Sequence, residues 1–170
     1  MGNGVALAVK VVAAHVSGYL KLAAKVLPSL PHPAHALSKS RLQYDAGVIL
    51  RDMEKRRFAC TKVVAVLGVD LFIPIFTHVY GEARQNGKIA LVSTFRLADE
   101  TAGGPRPSAG TLERTAKVAL HELGHLFDLE HCPDDRCLMR FSGNLAELDA
   151  TPFTYCRYCS AYFRDALSRE

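Results

Sequence analysis

The sequence predicts an α/β (α+β) fold: strands and helices alternate into a mixed twisted sheet, and a later helix presents the chemistry. Three observations predict it. Short, valine-rich apolar runs recur between Val5 and Ser93. Stretches with apolar residues three and four apart separate them. One long helical pattern then begins at Thr111, after the last such run. The chain of 170 residues is 49% hydrophobic and 22% charged, so one globular domain spanning 1–170 with its own core is expected.

Each element follows from its residues. Val5 to Val12 is an apolar run rich in valine, with Lys10 its one charged residue, and reads as a buried strand. Val16, Leu20, Ala23 and Leu27 recur at helical spacing, and Pro28 stops them. The prolines of "PSLPHPAHALSKS" make 28–40 a loop, with His32 and His35 as surface histidines. Asp45 is placed to cap a helix whose inner face is Ala46, Ile49, Leu50 and Met53. "TKVVAVLGVD" reads as a second buried strand ending at Gly68. In "LFIPIFTHVYGEA", Pro74 lacks the donor a central strand needs, which predicts an edge strand or an irregular crossing. Asn86-Gly87 signals a turn, and "KIALVS" continues from it as a strand. "ADETAGGPRPSAG" is a flexible loop. Beyond it Leu112, Ala116, Ala119, Leu120, Leu123 and Phe127 make one apolar helical stripe, with Glu113 and Lys117 paired outside it.

Charge and targeting signals narrow the function classes. The net charge is +4, spread along the chain, and its one compact basic run, "EKRR" at 54–57, reads as a solvated helix end. With no basic stripe and no interleaved aromatic residues, nucleic acid is not an expected partner. Lys10, His15, Lys21 and Lys25 interrupt the apolar N-terminus, so neither a membrane span nor a leader is expected, and the protein reads as cytoplasmic. Four of the five cysteines fall in the last quarter of the chain. In a reducing compartment that clustering favours a metal site, with two disulfides as the alternative. The fifth, Cys60, reads as a buried apolar residue.

The most informative stretch is "HELGHLFDLEHC", residues 121–132. His121 and His125 are four apart and share one helix face, with Glu122 beside them. In H-E-x-x-H the histidines bind zinc and the glutamate is a general base. His131 cannot join them on a continuing helix, because six residues are far from a whole number of turns. The chain must bend between 125 and 131, and Asp128 is the expected hinge, because Asp visits the left-handed region more readily than most residues. Three protein ligands leave a fourth zinc position open for water. His131 and Cys132 are neighbours, and adjacent residues in extended backbone point opposite ways, so they would face two different ions.

With Cys132, Cys137, Met139 and the "CRYC" of Cys156 to Cys159, this stretch resembles the archaemetzincin branch of the metzincin metallopeptidases. "QYDAG" and "VYGEA" upstream are similar to that family too. It usually carries glycine where this chain has Asp128, and its gap between the methionine and the C-x-x-C pair is slightly longer. The resemblance implies a metzincin-like zincin fold with an active-site helix and a zinc-bound C-terminal segment. It implies a catalytic zinc on His121, His125 and His131, with Glu122 catalytic. It implies a structural zinc on Cys132, Cys137, Cys156 and Cys159, making 132–159 a structural subsite. Met139 matches the methionine that lies on a turn beneath the catalytic zinc, and Phe141 stands where some metzincins carry a tyrosine.

The expected function is zinc-dependent hydrolysis of peptide bonds, through a zinc-bound water and Glu122 as general base, by a monomer holding two zinc ions. The strand around Lys88 to Val92 would offer its edge to an extended peptide or protein substrate. The alternative is a weak or inactive zinc-stabilised module that binds peptides or proteins without cutting them.

Overall fold

The computed structural model describes residues 3–98 and 107–169. Most of the loop expected at 98–110 lies outside the described residues. Helix α1 spans Asn3–His15 and runs into a π-helical turn, Val16–Leu20. The valine-rich run is therefore helix, not strand. Its buried residues recur every fourth position, at Ala8, Val12 and Val16, which is a helical face. Short apolar runs do not separate the two structures by periodicity, and this one is not bounded by a turn before Val16. The helix also ends before Pro28. Lys21 turns left-handed at φ 58°, and its ammonium donates to the Gly18 carbonyl at 2.6 Å.

A short 3-10 turn, Ala34–Ala36, leads into β1 (Leu37–Ser38) and β2 (Gln43–Asp45). Helix α2 (Ala46–Glu54) is capped as expected, with the Asp45 carboxylate accepting from Val48 N–H at 3.1 Å. Strand β3 (Val63–Leu67) follows, then β4 (Leu71–Ile73), β5 (Phe76–Val79), β6 (Gly81–Ala83) and β7 (Ile89–Ser93). Pro74 does not sit in one long edge strand. It falls in the tight turn between antiparallel β4 and β5, where no ladder donor is needed.

Two mixed sheets result. One has the order β1-β2-β4-β5, with β2 and β4 parallel. The other has the order β3-β7-β6, with β3 and β7 parallel and β6 antiparallel to β7. Strand β7 is therefore central, and the expected substrate edge at Lys88 to Val92 is taken. Its side chains explain the placement: Ile89, Ala90, Leu91 and Val92 are all buried, which a solvent edge would not allow. Among the described residues the edges of this sheet are β3 and β6.

Helix α3 (Ala109–Leu126) starts at the Ser108 cap and packs its apolar stripe on the face of β7 that carries Ala90 and Val92. Ile89 and Leu91, on the other face, pack with Ile49, Leu50 and Met53 of α2. Helices α4 (Leu145–Ala150) and α5 (Arg157–Leu167) complete the fold. The Arg114 guanidinium forks onto Asp149 at 2.7 and 2.8 Å and ties α3 to α4. Lys117 pairs with Glu113 at 2.9 Å but lies inside, not outside: it is 3% exposed, and its ammonium also donates to the Asp149 carbonyl at 2.8 Å. Cys60, expected in the core, is exposed.

Candidate metal centre and active site

The C-terminal end of α3 builds the histidine set. The helix stops at Phe127, and Asp128 takes the left-handed conformation at φ 66°. Leu129 N–H donates to Gly124 O and Asp128 N–H to His125 O, each at 3.0 Å. These two bonds are a Schellman motif with Asp in the position glycine usually holds. The expected hinge is thus where the chain turns. The turn brings His131 back to the helix, with its ring centroid 5.2 Å from that of His121 and 4.9 Å from that of His125.

Second-layer carbonyls orient the rings. His121 Nδ1 lies 2.8 Å from Leu138 O, and His125 Nδ1 lies 2.7 Å from Leu129 O. A carbonyl only accepts, so both Nδ1 atoms carry the proton and both Nε2 lone pairs face inward. The two Nε2 atoms are 3.1 Å apart. Tetrahedral Zn–N bonds of 2.0–2.1 Å would put them about 3.3 Å apart, so the pair fits a zinc ion. Burial pushes the His121 pKa down to about 3, with the neighbouring His125 adding to it. Burial lowers His125 and His131 too. Neutral imidazole is the form a metal takes.

The cysteines gather separately. The sulfur atoms of Cys132, Cys137, Cys156 and Cys159 lie within 4.8 Å of one another, as do the nitrogens of the histidine set. Cys132 Sγ and Cys156 Sγ are 3.8 Å apart, far beyond a disulfide and equal to the ~3.8 Å that tetrahedral Zn–S bonds of 2.3 Å produce. Cys156 N–H donates to Cys137 Sγ at 3.3 Å. Hydrogen bonds led by the Cys159 backbone lower the Cys156 thiol, while burial raises those of Cys137 and Cys159. The two sets meet at the His131–Cys132 junction, where Cys132 N–H donates to Met139 O at 2.8 Å.

Met139 is fully buried. A Cβ placed on Gly124, between His121 and His125, would stand 2.4 Å from Met139 Sδ, so the bare glycine gives the methionine the room it occupies. Leu138 beside it carries the carbonyl that orients His121. Tyr155 O–H closes the same floor by donating to Leu120 O at 2.9 Å.

Glu122 is 8% exposed and lines a cleft of about 840 Å³ that also holds the three histidines. Strand β6 forms its rim. A Cβ on Gly81 would fall 2.6 Å from Glu122 Oε1, so the bare backbone of β6 is what leaves room for the carboxylate. Burial, then the charge of Glu82, hold Glu122 well above the ordinary carboxylate range. Burial raises Glu82 as well. Gly81 and Glu82 lie in the "VYGEA" stretch, but neither they nor Tyr155 nor the carbonyls of Leu129 and Leu138 were given a role from the sequence. Only packing distinguishes them, and no spacing rule signals it. Phe141 is 54% exposed, with its ring edge-on to His131 at 5.4 Å.

Comparison with known proteins agrees with this geometry. The family model for peptidase family M54 matches residues 3–165. An archaemetzincin of Methanopyrus kandleri is 38% identical over 155 residues, 91% of this chain and 85% of its own length. One from Pyrococcus furiosus is 35% identical over 159 residues, covering 90% and 83%. The crystal structure of the Methanopyrus kandleri archaemetzincin superposes with a TM-score of 0.86 at 36% identity, covering 96% of this chain and 88% of that one. That of Archaeoglobus fulgidus, complexed with malonate, gives 0.79 at 30% identity over 92% of both. The chain belongs to peptidase family M54, the archaemetzincin family of zinc metallopeptidases.

Proposed function

We propose that the protein hydrolyses peptide bonds with Glu122 as general base, and that it holds two zinc ions: a catalytic one on His121, His125 and His131, a structural one on Cys132, Cys137, Cys156 and Cys159. The observation that carries the reading is the meeting of the inward-facing Nε2 atoms, 3.1 Å apart, with the Glu122 carboxylate in one cleft. Bound zinc would polarise the substrate carbonyl and make a water acidic enough to ionise near neutral pH. Glu122 takes the proton of the attacking water and delivers it to the leaving amine. Burial raises its pKa, which suits the second step, because a weaker acid keeps the proton it must later hand on. Leu129 and Leu138 keep the histidine rings in place through that exchange.

The substrate lies along β6. Ser93 N–H donates to Tyr80 O at 2.8 Å, and antiparallel alternation then leaves the main-chain groups of Gly81 and Ala83 on the open edge. An extended peptide bonded there passes directly over Glu122. The reading includes a cytoplasmic setting, in which the four cysteines stay reduced and available to a metal. Among the described residues no helix is long and apolar enough to cross a membrane. The protein acts as one domain and as a monomer.

The test is digestion of a broad peptide library by the protein as isolated, after chelation, and after zinc is restored. Cleavage that disappears and returns supports the reading. A protein that binds peptides with zinc restored and cuts none would instead be the binding module.

A further inference from the structure

Five charged side chains line the cleft besides its histidines, and they are not balanced alike. Lys117 and Arg140 are the cations, and each is already neutralised, Lys117 by Glu113 at 2.9 Å and Arg140 by Asp135. Glu82, Glu122 and Glu130 are the carboxylates. Among the described residues none of the three has a side-chain hydrogen bond or an ion pair. A zinc ion on the histidines would set two positive charges against these three negative ones, so the lining stays acidic. An acidic cleft favours a substrate that carries positive charge.

Of the three, Glu82 is the one placed to read a substrate side chain. Glu122 serves the attacking water, and Glu130 is exposed at the cleft mouth. Glu82 is half-buried in β6, between the two residues whose main-chain groups meet the substrate. The cation nearest in sequence, Arg84, is engaged elsewhere, with its guanidinium on Glu54 at 3.2 Å. Burial raises the Glu82 pKa and the charge of Arg84 offsets only part of that, so a cation brought beside it would hold it ionised. A strand bonded antiparallel to Gly81 and Ala83 sets one of its residues directly opposite Glu82. Such cross-strand partners share a face, with Cβ atoms about 4.5–5.5 Å apart, and opposite charges there attract. A long basic side chain reaches the carboxylate while its methylenes stay in the cleft. We propose that Glu82 is a specificity-determining residue: it selects a lysine or arginine side chain on the substrate residue opposite it in the strand added to β6. An uncharged side chain there leaves the carboxylate unpaired, and an acidic one adds repulsion. The proposal rests on β6 being the substrate edge, and it concerns binding, not the cut itself.

The test uses peptides blocked at both ends, so that only a side chain carries the charge. They are alike except at one residue, which is lysine, norleucine or glutamate and is stepped through every position. Norleucine keeps the stem of lysine and lacks its charge. Binding to the zinc-loaded protein is read as displacement of a fluorescent copy of the lysine peptide before appreciable cleavage, and cleavage is followed afterwards. The parent, Glu82→Gln and Glu82→Lys are compared by the ratio of lysine to norleucine affinity. That ratio cancels any effect of the substitution on Glu122 or on the folded fraction. The expected result is a preference for lysine of about fivefold or more at one position. Glu82→Gln should abolish it, and Glu82→Lys should replace it with a preference for glutamate. A parent that binds none of the peptides, or binds all alike, overturns the proposal, and so does a preference that Glu82→Gln retains. The expected preference in binding, without any cleavage, would support the role of Glu82 and overturn the peptidase reading alone.

Discussion

At the scale of single residues, the site depends on backbone positions as much as on ligands. Asp128 holds a left-handed conformation at φ 66° that glycine adopts without steric cost. Asp128→Gly should therefore stabilise the protein by up to ~1 kcal/mol, a rise of about 2–4 °C in the unfolding midpoint. Asp128→Val should destabilise it and weaken zinc at the histidines, because His131 rides on that turn. Calorimetry with zinc titration checks both, and a gain from valine would contradict the assignment. Glu82 offers a second test. Its negative charge raises Glu122, so Glu82→Gln should lower the Glu122 pKa. A general base works ionised, and the acid limb of kcat/KM should move to lower pH. A limb that stays put, or rises, would remove Glu82 from the electrostatics of the base.

At the scale of elements, the gathering of the histidine and cysteine sets was legible in the sequence and part of the architecture was not. H-E-x-x-H, the Asp128 hinge and the cysteine spacing all act through local geometry, and the structure brings each set together as expected. The run from Val5 to Val12 was misread because a buried helix and a buried strand are both apolar throughout over a short length. Which strand sits at the edge is a matter of long-range pairing, so β7 and β6 could not be told apart until the ladder was seen. Lys117 was placed outside because its pairing with Glu113 is visible in sequence, while its bonds to the carbonyls of Leu148 and Asp149 are not. The Met139 turn links the two metal sets as an element: Leu138 O orients His121, and Met139 O holds Cys132. Cys156→Ser with Cys159→Ser leaves all three histidines intact, yet it should weaken zinc at the histidine set by loosening this turn. Unchanged affinity in a folded double variant would show the sets to be independent. Met139→Ala should cost about 2–5 kcal/mol through the cavity it leaves, measured by denaturant unfolding.

At the scale of the whole molecule, metal and stability are linked through the histidines. The His121 pKa in the folded, metal-free protein is pushed down to about 3, against 6.5 when unfolded. As pH falls through that window the unfolded chain takes up a proton that the folded chain refuses. The metal-free protein should therefore lose stability below about pH 6.5, by up to ~1.4 kcal/mol per unit from this group. Urea unfolding at successive pH values checks the slope, and a flat profile would contradict the burial of His121. The account as a whole rests on Glu122 acting on a water beside three histidines that hold zinc without its help. The most direct measurement is the zinc content and peptide hydrolysis of Glu122→Gln beside the parent protein. The account predicts two zinc ions in each and a fall in rate on the order of 10²–10⁴-fold in the variant. Equal rates in the two proteins, or loss of zinc from the variant, would contradict it.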